Sequence, residues 1–96
     1  MIDYNKLKIG RCYKIGGRRP LVIMEYKVHF KGRMEISGYT PKRYEEYNKF
    51  NTLYKPEDKD YRTIAEVEGI EMPPRTSIRI NSNCSFEEVL NFEKNN

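Results

Sequence analysis

The chain contains one histidine, His29, and two cysteines, Cys12 and Cys84. These are the side chains suited to proton transfer near neutral pH, thiolate attack or soft-metal ligation, and their spacing supports none of these. His29 sits at an outward position of an alternating segment, with no acidic or cysteine residue placed to orient it as a general base. No Gly-x-Ser-x-Gly elbow accompanies it, as a serine hydrolase of that type requires. Structural zinc takes about four Cys, His or carboxylate ligands in compact spacing, whereas Cys12 and Cys84 lie near opposite ends of the chain. Carboxylate pairs occur at Glu45-Glu46 and Glu87-Glu88, both in segments that read as helical, where salt bridging or capping accounts for them. Gly16-Gly17 is shorter than the glycine-rich loop, closed by Gly-Lys-Ser/Thr, that cradles phosphates. The expectation is a binding protein, not an enzyme, with no cofactor and no metal.

Charge placement carries more. Residues 1–50 hold twelve Lys and Arg against five Asp and Glu, and residues 51–96 reverse the balance, six against nine, within a net charge of +4. The candidate binding residues are Lys8, Arg11, Lys14, Arg18, Arg19, Lys27, Lys31 and Arg33, with Tyr26, His29 and Tyr39 interleaved among them. A basic face attracts phosphate backbones or an acidic protein surface, and small barrels hold single-stranded nucleic acid by combining such a face with stacking aromatics. Two partners follow: nucleic acid bound by a basic, tyrosine-rich meander, or an acidic surface of a host protein on which a small inhibitor or adaptor docks. Tyrosine and arginine serve either, being enriched at interface hot spots. A bias toward Lys, Asn, Tyr and Ile, with one alanine and no Trp or Gln, is common in products of AT-rich genomes, phages and mobile elements included.

The elements that must position these residues read mainly as strands. Leu7–Ile15 alternates, with Leu7, Ile9, Tyr13 and Ile15 on one face. Gly16-Gly17 turns the chain. From Leu21 to Phe30 both faces begin apolar, then Val22, Met24, Tyr26, Val28 and Phe30 run inward while Glu25, Lys27 and His29 point out. Lys31-Gly32 makes a two-residue hairpin turn, and Arg33–Tyr39 returns with Met34 and Ile36 inward. Thr40-Pro41 opens a short helix to Phe50. Residues 55–60 form a charged loop, Tyr61–Val67 alternates as a fourth strand, and Thr76–Ile80 is a fifth. Ser85-Phe86-Glu87-Glu88 has the spacing of a capping box and predicts a C-terminal helix.

A chain of 96 residues fits one domain. The fold expected is mainly β, of α+β type: a five-stranded SH3-like or OB-like barrel, with a short helix after strand three and a C-terminal helix, existing as a monomer or small homo-oligomer. The longest aliphatic run, Leu21–Met24, is far short of the ~20 residues of a spanning helix. Asp3, Lys6 and Lys8 stand where a signal peptide would be apolar. A cytoplasmic protein with reduced thiols is expected, with no membrane partner.

The segment Gly17-Arg18-Arg19-Pro20-Leu21-Val22-Ile23 resembles the join between the first strands of MazF/PemK-type mRNA-interferase toxins. That resemblance implies an SH3-like barrel and a ribonuclease in which Arg19 works at the phosphate, which would need His29 nearby.

Overall fold

A computed structural model of the protein describes residues 7–29, 32–55, 57, 61–81 and 83–90. In chain order the elements are β1 (Cys12–Ile15), β2 (Leu21–His29), β3 (Arg33–Tyr39), α1 (Pro41–Phe50), β4 (Leu53–Tyr54), β5 (Arg62–Thr63), α2 (Ile64–Glu68), β6 (Thr76–Asn81) and β7 (Phe86–Glu88). Five strands form one antiparallel sheet in the order β6-β3-β2-β1-β7, and β4 pairs with β5 in a separate ribbon. Among the described residues no helix is long and apolar enough to cross a membrane.

Successive side chains of a strand point to opposite faces, so the register sorts the apolar residues into two clusters. One face gathers Tyr13, Ile15, Leu21, Ile23, Met34, Ile36 and Ile80, with Leu7 added from the segment before β1. Phe86 packs against this core, its ring stacked 4.5 Å from that of Tyr13. The other face holds Cys12 and Val22, with Met24, Tyr44 and Val89 packed against them. Helix α1 leaves β3 directly after Tyr39 and folds back over that end of the sheet, where the Tyr39 and Tyr47 rings stack 5.1 Å apart.

A register shift between Ile23 and Glu25 makes this division. One extra residue in a strand reverses the facing of all that follow. Val22 and Met24 therefore lie beneath α1, while Tyr26 packs against the main core and Val28 is half exposed. The single inward row expected from Val22 to Val28 is thus split, and Phe30 lies outside the described residues. The first strand is also shorter than its alternation suggests. The chain turns before Cys12, where the Gly10 N–H donates to the Ile23 carbonyl at 2.7 Å, and Ile9 is left exposed.

The turn at Gly16, β3 and α1 stand where the sequence places them, although the Thr40 side chain makes no capping bond. His29 pairs with Arg33, whereas a two-residue Lys31-Gly32 turn would pair Phe30 with Arg33; Phe30 and Lys31 lie outside the described residues.

The sheet is curled. In a flat five-stranded sheet the edges stand roughly 19 Å apart, but β6 and β7 are joined only through residues 82–85. That link folds back at once: the Cys84 N–H donates to the Asn81 carbonyl at 3.1 Å, and the Asn83 N–H to Asn81 Oδ1 at 3.0 Å. The Gly16 N–H then donates to the Ser85 carbonyl at 2.9 Å. The two edges are drawn together at this corner without sharing a ladder, so the expected closed barrel is not formed.

Two expected elements are replaced. The alternation over Tyr61–Val67 yields only the two residues of β5, followed by α2. Thr63 caps that helix, its Oγ1 accepting from the Glu66 N–H at 3.2 Å and donating to Glu66 Oε1 at 3.1 Å. Gly69 ends it at φ 66°, a left-handed conformation that glycine adopts without a Cβ penalty. The expected C-terminal helix is absent over Phe86–Glu88, which is β7, paired with β1; residues 91–96 lie outside the described residues. Thr63→Ala should therefore cost about 1 kcal/mol, whereas Ser85→Ala should stay within about 0.5 kcal/mol. Urea denaturation of both variants checks this, and a larger loss at Ser85 would show that a capped helix forms there after all.

Candidate functional site

Helix α1 covers only the end of the sheet where β2 begins and β3 finishes. Toward the β2–β3 hairpin the same face is polar and, among the described residues, uncovered, and pairing across β2, β3 and β6 sets its residues in rows. Lys27, Glu35 and Arg79 form one row, and His29, Arg33 and Asn81 the next. Glu35 is the lone carboxylate in these two rows; its Oε2 accepts from Arg79 Nε at 3.2 Å. Three basic residues, Lys27, Arg33 and Arg79, thus face one carboxylate. The row nearer α1 is different in character: Glu25, Ser37 and Ser77, with Glu25 Oε2 3.5 Å from Arg75 Nη1.

At the hairpin end the surface becomes a cleft of about 890 Å³. His29, Arg33, Arg79 and Asn81 line it from the sheet and Arg18 from the β1–β2 turn, with Met34, Ile80 and Cys84 completing the lining. Arg18 arrives there because its turn is tied to the curled corner. The Arg18 N–H donates to the Ile15 carbonyl at 3.2 Å, and Gly16 is held against Ser85. A Cβ built on Gly16 would stand 3.2 Å from Cys84 Sγ. Three guanidiniums from separate stretches of chain thereby share one concavity. Each is permanently charged and offers a planar fork of donors matched to phosphate oxygens.

The remaining candidates disperse. Lys27 adjoins the cleft on the neighbouring row. Lys14 stands opposite Glu87 at the far side of the sheet, and Arg11 Nε donates to Glu88 Oε1 at 2.9 Å. Lys8 and Arg19 are exposed, and Arg18, not Arg19, shares the cleft with His29. Tyr26 packs half-buried against the main core, and Tyr39 is 4% exposed beneath α1. Both tyrosines are among the binding candidates and both pack inside, Tyr26 as its inward place in the alternation predicts. Lys31 lies outside the described residues.

Arg79 and Asn81 were missed by sequence reasoning. Arg79 belongs to the acidic half of the chain, and only the β3–β6 register sets it beside Glu35. Exposed aromatics do occur elsewhere: Tyr54 lies on β4 and Tyr61 just before β5, with Lys55 Nζ 5.6 Å from the Tyr61 ring centroid.

The cysteines fall in different clusters and are free thiols. Burial pushes the Cys12 thiol up to about 11, which keeps it protonated and unreactive at neutral pH. The arrangement gathers cationic donors, a chemistry suited to an anion. Comparisons with protein families, with curated proteins and with solved structures found no match.

Proposed function

We propose that this protein is a non-enzymatic nucleic-acid-binding module, a single SH3-like roll that holds the sugar–phosphate backbone on the bare end of its sheet. One observation carries the reading: Lys27, Arg33 and Arg79 stand on adjoining rows beside a cleft that Arg33, Arg79 and Arg18 line together. An SH3-like arrangement is favoured over an OB-like one because the last strand pairs with the first while the β6 edge stays open.

The buried tyrosines shape the mode of binding. With Tyr13 and Tyr39 in the interior, no exposed tyrosine stands among the cations within the described residues, so contacts go mainly to phosphates and carry little sequence information. The test is fluorescence anisotropy with mixed-sequence single-stranded and duplex oligonucleotides across a salt series. Three phosphate contacts give a slope of log affinity against log salt of about −2 to −3. Failure to bind any of these strands at low salt would overturn the reading.

A further inference from the structure

We propose that the cleft takes the terminal phosphomonoester of a nucleic-acid strand, an inference that rests on the nucleic-acid reading above. Cations that follow a continuous backbone are spread along a track. Here Arg18, Arg33 and Arg79 instead line one concavity, together with Cys84 from the corner beside it. A terminal phosphate suits such a site better than an internal diester. It carries a charge of about −1.5 to −2 at neutral pH and three acceptor oxygens, where a diester has a single charge.

The donors are available for it. Glu35 engages Nε of Arg79, which leaves the two terminal nitrogens of that guanidinium. Asn81 Oδ1 accepts from the Asn83 N–H, which leaves the Asn81 amide NH2 as a further donor. No carboxylate lines the cleft among the described residues.

The test compares one oligonucleotide sequence bearing a 5′-phosphate, a 3′-phosphate or hydroxyls at both ends, at fixed salt, with wild-type protein and with Arg18→Gln. Arg18 is exposed in a turn, so this change should leave the fold intact, as circular dichroism will check. Wild-type protein should bind at least one phosphorylated strand about tenfold more tightly than the hydroxyl strand, the effect of one added charge-assisted hydrogen bond. In Arg18→Gln that ratio should fall to about one. Equal binding of all three strands by the wild type overturns end recognition and leaves the broader reading standing. Binding of none overturns both. A preference that survives Arg18→Gln overturns the assignment to this cleft. A free nucleoside monophosphate that competes as well as the phosphorylated strand transfers the site to small nucleotides and overturns the strand assignment.

Discussion

Alanine in place of Gly38 should destabilise the protein by at least about 3 kcal/mol, the upper end of what overpacking costs. The usual expectation has the opposite sign. Gly38 has no positive φ, and at such positions alanine stabilises by ~0.4–1 kcal/mol by restricting the unfolded chain. Space decides otherwise. A Cβ on Gly38 would overlap the Val22 carbonyl oxygen, and it would stand 2.9 Å from the Val22 carbonyl carbon and 3.3 Å from the Ile23 Cα. These are backbone atoms of the adjacent central strand, which cannot swing aside as a side-chain end does. Relief requires β2 and β3 to separate where Ile23 faces Gly38, next to the bulge that divides the two cores. Gly17→Ala is the control, because nothing lies within 4 Å of its added Cβ. Its urea midpoint should be unchanged or slightly raised. A Gly38→Ala protein as stable as wild type would mean that the β2–β3 register is wrong.

Replacing Lys27, Arg33 and Arg79 together with glutamine should weaken nucleic-acid binding about a hundredfold at 0.1 M salt. The figure follows from counterion release. Each lost phosphate contact removes roughly 0.7–0.9 from the salt slope, and three contacts remove about two to three log units over the decade below 1 M. The slope should flatten by the same amount, which separates lost phosphate contacts from a folding defect. Stability should change little, since the one ion pair removed, Arg79–Glu35, is exposed, with 87% of the Arg79 side-chain surface accessible. Glu66, Glu68 and Glu71 changed together to glutamine form the control and should leave affinity nearly unaltered. If the acidic-side variant is the one that loses affinity, the bare face of the sheet is only solvated surface.

The central hairpin and α1 were legible because local signals agree there. Alternation, a glycine-containing turn and Thr40-Pro41 all point to the elements that form. Reading failed where two local signals competed. Thr63-Ile64-Ala65-Glu66 and Ser85-Phe86-Glu87-Glu88 share the same capping spacing. The first opens a helix, over an alternation that favoured a strand. The second becomes a strand because β1 offers it an open edge, Phe86 stacks on Tyr13, and Glu88 reaches Arg11 instead of Ser85. A cap contributes only about 1 kcal/mol, and that pairing outweighs it. The candidate site was half legible for the same reason. Arg18, His29 and Arg33 lie in the basic first half, but the partners that complete the cleft come from a strand whose register is fixed by tertiary pairing. The tyrosines misled because aromatics are equally at home in a core, and the bulge at Met24 hides which face each one takes.

The pairing of the first strand with the last sets an order on folding. The hairpin of β2 and β3 forms across a short loop and β1 joins it through the Gly16 turn, whereas Arg11 and Glu88 meet across 77 positions. Closing a loop of that length costs roughly 3 kcal/mol more than a three-residue connection, so the β1–β7 ladder should be a late event. Until it forms, Tyr13 lacks the ring of Phe86 and Cys12 lacks the contact of Val89. During synthesis the N-terminal part of the chain emerges first. A nascent chain therefore exposes the free edge of β1, a template for pairing with other chains, until residue 88 has left the ribosome.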